Sequence, residues 1–457
     1  MLQAENFKVI ATQGLGRSNN MTARTMTVFK DALYVGTSCA KVVDADDATR
    51  IWRYDFKTED WTLAYESPLI DWTVRADVPD LQVVRHVRGV DLTKLSSIRR
   101  RDGARVPRDN GFRSMCVFQG RSDSELTFYA TTMSRTGTIF LRSEDGSTFE
   151  QVSEPGLGNP DIYSYRGLTA FNGWLFASPT GTVTDTYLDR NLAPEPLVYV
   201  SNDPASGQWV PASEPSFGDP GNEAIYGLCV AHDRLYAGTA NAERGFQLWQ
   251  TYAEGEPPFE WHPVIVDGGG AFNFNMALTA MVEFKGYLYV GSGITGLGHD
   301  TVHDVGPASA ELLRVRPDGT WDLIAGRVRF TPDGLKVPIA MLGPGLGDFY
   351  NSVVWSLGVH KGVIYLGTHQ WEGIRSVQIN ANEIVGGYQI WGSADGEKWV
   401  PILEDGNGNP AQIGVRALAS TDYGFFVGTH NQCKLFELMA RGRKLDLEPG
   451  FQVLVGR

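Results

Sequence analysis

TMTVFKDALYVGT, residues 25–37, is an apolar strand, a two-residue polar turn and a second strand that ends aromatic-x-Gly-Thr. The phrase returns as SMCVFQGRSDSELTFYATT (114–132), GLTAFNGWLFASP (167–179), GLCVAHDRLYAGT (227–239), AMVEFKGYLYVGS (280–292), SLGVHKGVIYLGT (356–368) and ALASTDYGFFVGT (417–429). Alternating apolar residues around a short polar turn specify a β-hairpin, because a period of two keeps one strand face apolar. One hairpin repeated at wide, regular spacing marks a repeat architecture.

Most copies are followed by a second hairpin: IWRYDFKTEDWTLAY (51–65), IFLRSEDGSTFEQV (139–152), LVYVSNDPASGQWVPA (197–212), QLWQTYAEGEPPFEWHPV (247–264), LLRVRPDGTWDLI (312–324) and YQIWGSADGEKWVPI (388–402). Asp-Gly between apolar runs is a strong turn signal. Four antiparallel strands per repeat is the make-up of a propeller blade. The chain therefore reads as one all-β domain, a seven-bladed β-propeller with blades at about 21–66, 111–153, 164–213, 224–266, 277–326, 353–403 and 414–437. The last repeat has strands at 414–420, 423–429 and 432–437 and needs a fourth, supplied by FKVIA (7–11) or FQVLV (451–455), so that a terminal strand closes the ring.

Composition narrows the function. A net charge of −13 opposes nucleic acid and anionic membrane surfaces. Cys39, Cys116, Cys229 and Cys433 form no CxxC pair, which fits a reducing compartment better than a disulfide framework or zinc knuckle. The first residues, MLQAENFKVIA, have no basic-then-apolar leader pattern, and no apolar run is long enough to span a bilayer. The expectation is a soluble, cytoplasmic protein with a small-molecule aromatic or anionic partner, no nucleic acid and no membrane insertion.

In an up-and-down blade, the loop leading into the first strand and the loop joining the second to the third share a face. That face collects 38–50, 66–110, 180–195, 293–310, 327–351 and 369–387, whereas the opposite face has tight turns such as Lys30-Asp31, Asn172-Gly173, Lys285-Gly286 and Asp318-Gly319. Long loops in a compact domain are preferentially functional. Five residues before the end of each first strand, at the channel mouth, stand Arg24, Arg113, Arg166, Tyr226, Thr279, Trp355 and Arg416. Converging guanidinium groups suit a carboxylate, phenolate, phosphate or leaving anion; alternatively they pair with blade-end carbonyls or with acids such as Asp109 and Asp161. Tyr226 and Trp355 supply walls for a planar ring.

His299, His303, His369 and His430 fall on the same face and are candidate ligands for a divalent metal, although the chemistry requires no cofactor. Asp44, Asp46 and Asp47 lack a full calcium-loop spacing. The 66–110 insertion carries Arg85, His86, Arg88, Arg99, Arg100, Arg101, Arg105 and Arg108, and reads as a cover over the site or a lid that steers an anion.

GPASAELLRVRPDGTWDLIAG (306–326), TPDGLKVPIAMLGPGLG (331–347), GVHKGVIYLGTHQW (358–371), the GLGNP phrase at 156–160 and SEDGSTFEQVSEPGLG (143–158) resemble a bacterial β-propeller family of alkylating enzymes. That is the family of cylindrocyclophane formation, which joins an alkyl chloride to a resorcinol ring. The resemblance covers nearly all of the chain, without that family's calcium-binding domain. It implies that Arg24 and Asp333, in Thr331-Pro332-Asp333-Gly334, activate the phenol and the departing chloride. The family's tyrosine has no clear match, since His369 follows the sixth Gly-Thr, with Tyr365, Tyr350 and Tyr226 as substitutes.

The expected function is a biosynthetic enzyme that forms a C–C or C–O bond on a phenolic or anionic molecule. Asp333 or His369 serves as base, Arg24 stabilises the anion, and Arg113, Arg166, Tyr226, Trp355, Arg416, Thr331 and Tyr350 bind substrate. One alternative is a sialidase-like glycosidase, suggested by GFR (111–113) and SYR (164–166), although SEDGSTF and SADGEKW lack a residue of the Asp-box. The other is a non-catalytic ligand- or protein-binding propeller.

Overall fold

Tight turns fix the hairpins. In the computed structural model, Lys30-Asp31, Asn172-Gly173, His232-Asp233, Lys285-Gly286 and Lys361-Gly362 all have positive φ at both central residues. This is the type I′ geometry, whose twist matches the right-handed twist of the flanking strands. The structure describes residues 1–39, 45–71, 105–183, 192–294, 296, 298–300, 303–440 and 442–457.

Each hairpin opens a four-stranded antiparallel unit. Asn20–Phe29 pairs with Ala32–Cys39, which pairs with Arg50–Asp55 and then Trp61–Glu66. The pattern recurs through Asp109–Phe118, Thr127–Ser134, Phe140–Ser143 and Glu150–Gln151, and through Ile162–Phe171, Trp174–Thr182, Tyr199–Ser201 and Val210–Pro211. Next come Ala224–Ala231, Arg234–Ala240, Leu248–Thr251 and His262–Ile265, then Ala277–Phe284, Tyr287–Gly293, Leu312–Val315 and Trp321–Ala325. Asn351–His360, Val363–Gln370, Ile390–Ser393 and Val400–Leu403 form another unit. In the last unit Gln412–Thr421 and Gly424–Asn431 are followed by Val453–Gly456 and Phe7–Ala11, so both terminal segments enter it.

Single bridges join the second strand of one unit to the first strand of the next, as at Ser38–Gly111, Met133–Ser164, Gly293–Val353 and His369–Gly414, and His430 is bridged to Thr22. Hydroxyls stitch the same seams: Thr279 donates to the Val354 carbonyl at 2.7 Å, Ser356 to Val415 at 3.0 Å, and Ser114 to Arg166. The result is a β-propeller-like all-β fold whose units join in one large antiparallel sheet. Its core lies between units, where Leu312, Val354, Leu366 and Trp391, for example, bury one another.

Two segments depart from the sequence reading. Residues 432–437 are not a strand; Cys433–Met439 is a helix, because Cys433, Phe436 and Met439 recur at helical spacing and bury one face against Ile374 and Val377. The segment Arg329–Thr331 pairs with Gly334–Lys336 in a separate small hairpin, and residues 339 and 340 hydrogen-bond along the outermost strand Trp321–Ala325. At the base of the 66–110 insertion Leu69–Asp71 pairs with Arg105–Pro107. Arg85, His86, Arg88, Arg99, Arg100 and Arg101 lie outside the described residues, as does Asp44. Among the described residues no helix is long and apolar enough to cross a membrane.

Candidate functional site at the channel mouth

The innermost strands do not run in simple register. Each is interrupted by a β-bulge at one equivalent residue: Arg24, Arg113, Arg166, Tyr226, Thr279, Trp355 and Arg416. A bulge leaves one residue out of the ladder and re-aims its side chain, and here it does so at the same level of every unit. Recurrent turns set this level. Gly14, Gly268 and Gly345 lie in left-handed turns preceding the strands, and their carbonyls are held by the side chains of Asn20, Asn275 and Asn351 at 3.1, 2.9 and 2.9 Å.

Four of the bulge residues are arginines that sense one another. Burial lowers the Arg24 pKa to about 10, helped by the charge of Arg166. Arg113 is held well below its ordinary value by burial and by Arg24, Arg166 and Arg416. Arg416 is lowered by burial, Arg166 and Arg24, and Arg166 by burial. Among the described residues no carboxylate acts on Arg24, Arg166 or Arg416. The Nε atoms of Arg24 and Arg416 are enclosed without an acceptor among the described residues. Asp109, an alternative partner in the sequence reading, is instead paired with Arg108 at 2.8 Å and bonded to Ser67.

Aromatic rings flank the cluster. The Arg166 guanidinium lies 4.3 Å from the Tyr226 ring centroid and that of Arg416 5.4 Å from the Trp355 ring. Trp355 in turn meets His369 edge-on at 4.4 Å and His430 at 5.3 Å, with the two imidazoles 6.5 Å apart. Gly414 makes room for this stack, since a Cβ there would come within 2.3 Å of the Trp355 ring.

Both histidines are neutral at physiological pH. Burial, then the Arg416 charge, lowers His369 to about 4, and His430 lies well below its ordinary value through burial, His369, Arg24 and Arg416. His430 has both nitrogens engaged, Nδ1 with the Thr22 hydroxyl at 2.7 Å and Nε2 with the Gln432 side-chain amide at 2.9 Å. Among the described residues His369 is bonded through Nδ1 alone, 3.3 Å from the Ser352 hydroxyl. Its Nε2 is therefore the imidazole nitrogen available to a ligand.

Two further residues are linked to Arg24, Tyr163 directly and Arg135 through it. Tyr163 interacts electrostatically with both Arg24 and Arg135. Arg135 is only 7 % exposed, and its Nε has no acceptor among the described residues. Neither occupies the recurrent position, so the repeat alignment passes over them; the only signal for Tyr163 is its place beside the SYR triplet. Beside Arg166, a cavity of about 220 Å³ is also lined by Met115, Leu168, Leu228, Leu278 and Met281.

Other candidates lie elsewhere. Asp333 is exposed in the turn of the peripheral hairpin, where Thr331 spends its hydroxyl on the Gly334 carbonyl and Lys336 donates to the Trp321 carbonyl. That hairpin packs on an outermost strand, whereas Arg24 belongs to an innermost one, so Asp333 and Thr331 are not brought to the arginines. A Pro-Asp-Gly turn between apolar residues closes locally. Tyr350 packs with Phe349 and Trp371 at 5.6 and 4.9 Å, and Thr279 is committed to backbone carbonyls. His299 and His303 face Asp304 and Asp300, each at 3.3 Å, rather than each other. Among the described residues no three His, Cys, Asp or Glu side chains gather as a metal site.

No protein-family model matches the chain, and no curated relative does. Among solved structures, it is similar to the GH74 xyloglucanase of Xanthomonas campestris, with a TM-score of 0.46 at 15 % identity over 97 % of this chain and 55 % of that one. It is similar to the GH74 enzyme of Niastella koreensis, with a TM-score of 0.46 at 13 % identity over 93 % and 53 % of the two chains. A third similarity is to the GH93 α-L-arabinofuranosidase of Fusarium graminearum, with a TM-score of 0.40 at 10 % identity over 78 % and 89 %. The chain spans about half the length of the two GH74 enzymes.

Proposed function

We propose that this chain is a seven-bladed β-propeller enzyme that takes a small organic anion at the arginine mouth of its central channel and performs bond-forming chemistry on it. One observation carries the reading: bulges present Arg24, Arg113, Arg166 and Arg416 at one level, and among the described residues no carboxylate acts on Arg24, Arg166 or Arg416. Buried cations that depress one another are costly to keep unless a bound anion offsets the cost. Tyr226 and Trp355 beside them suit a planar body.

His369 is the base of this reading. An anion among the arginines offsets the Arg416 charge, the second cause after burial of its lowered pKa, and so raises its basicity. With a phenolic substrate, the proton passes to Nε2, a ring carbon attacks an alkyl halide, and the halide leaves with the bonding electron pair toward the arginines. The ring C–H proton then returns to the phenol oxygen, so one proton and one halide are released per bond formed. Incubation with resorcinols and alkyl halides, followed by mass spectrometry of the products, tests this. Product formation abolished by Arg24→Met and by His369→Gln is the expected result, and no product with any phenol removes the alkylation.

A second reading, a glycosidase for an acidic sugar, is favoured by Tyr163 standing near both Arg24 and Arg135. Arginines would hold the sugar carboxylate and a tyrosine would act as nucleophile, as in sialidases. Release of fluorophore from a sialoside or glucuronide, lost in Tyr163→Phe, distinguishes it.

A further inference from the structure

We propose that the anionic group this mouth recognises is a phosphate monoester dianion carried on a small aromatic molecule. The inference rests on the anion site above and specifies its ligand. Arg24, Arg166 and Arg416 act on one another, and the charge of Arg113 lies among them. A single negative charge would leave several of these cations still repelling. A phosphoryl group brings a charge of about −1.5 to −2 and three acceptor oxygens.

Direction points the same way. A carboxylate takes guanidinium groups in its own plane. Here they are carried at the bulged positions of four different units rather than along one strand. The enclosed Nε atoms of Arg24 and Arg416 add donors that lack acceptors among the described residues. A tetrahedral group offers oxygens in several directions. The guanidinium groups of Arg166 and Arg416 each lie against an aromatic ring, Tyr226 and Trp355, which suits an aromatic ester group. The net charge of −13 opposes long polyphosphates through its far-reaching field, which keeps the ligand small.

Calorimetric titration at pH 7.5 with phenyl phosphate, phenyl sulfate and benzoate separates charge from shape, because the sulfate keeps the tetrahedron and has one charge fewer. Phenyl phosphate is expected to bind at least ten-fold tighter than phenyl sulfate, and phenyl sulfate tighter than benzoate. In Arg416→Met, and independently in Arg24→Met, the phosphate-to-sulfate ratio should fall below about three-fold while sulfate binding persists. Equal affinity for phosphate and sulfate in the wild-type protein overturns the dianion and leaves the anion site standing. Binding of none of the three overturns both.

Discussion

The Arg166 guanidinium lies over the ring of Tyr226, 4.3 Å from its centroid, and the two residues are the bulged positions of neighbouring units. One displacement from the ladder places a cation and a π-face together, and a buried cation gains from the negative face of the ring. Arg416 and Trp355 repeat the arrangement on the other side of the cluster. The mouth is thus an arc of arginines bounded at both ends by aromatic rings.

Removing one of these cations should stabilise the unliganded protein. Arg416 is lowered by burial and by like charges, so Arg416→Met is expected to raise unfolding free energy by about 1 kcal/mol while weakening anion binding. Chemical denaturation with and without phenyl phosphate checks both. Loss of stability in the unliganded variant would mean that the arginine is structural.

Acid should weaken the fold through the buried imidazoles. His369 is lowered to about 4, below its unfolded value, so the unfolded chain binds the proton first. The stabilisation is fully present above about pH 6.5 and is lost as pH falls towards 4. Between pH 7.5 and 5 His369 accounts for roughly 2 kcal/mol of that loss. His430 acts in the same direction. The pH slope of unfolding should be shallower in His369→Gln.

Gly414→Ala is expected to cost about 2 kcal/mol or more, since its new Cβ would meet the Trp355 ring at 2.3 Å and force it from its contacts with His369 and His430. Tryptophan fluorescence should shift along with the melting temperature. An unchanged spectrum would show that the ring is not seated against this glycine.

Asp333→Asn should leave activity, anion affinity and stability within about 0.5 kcal/mol of wild type, as for exposed positions away from special contacts. A large drop in activity would return Asp333 to the catalytic machinery.

The turn acids should matter more than their exposure suggests. Asp145 accepts the backbone N–H groups of Ser147 and Thr148 at 2.8 and 2.7 Å, and Asp395 does the same for Glu397 and Lys398 at 2.8 Å. These bonds hold both carboxyls below the usual range. Replacing either by Ala is expected to cost about 1–2 kcal/mol, read from thermal unfolding at neutral pH.

The hairpins were legible because strand periodicity and turn chemistry are local. Asp145-Gly146 and Lys285-Gly286 announce their turns without help from the rest of the chain. Arg24, Arg113, Arg166 and Arg416 were legible because a repeat carries the same residue to the same height in each unit. The bulges that aim them were not, since an extra residue in one strand is defined only by its partner's register. Residues 432–437 misled because a short apolar run reads equally well as strand or helix, and contact with Ile374 and Val377 decided it. Asp333 misled because a loop's place in the sequence does not say which strand it will lie against.

By itself, then, the sequence determined the repeated hairpins, the all-β class and the level at which the arginines stand, since each depends on residues close together in the chain. Tertiary structure alone decided that those arginines act on one another, that Trp355 meets both His369 and His430, and that Asp333 lies on a peripheral hairpin. Charge repulsion, ring stacking and burial depend on distances between residues far apart in sequence, and only the assembled sheet sets those distances.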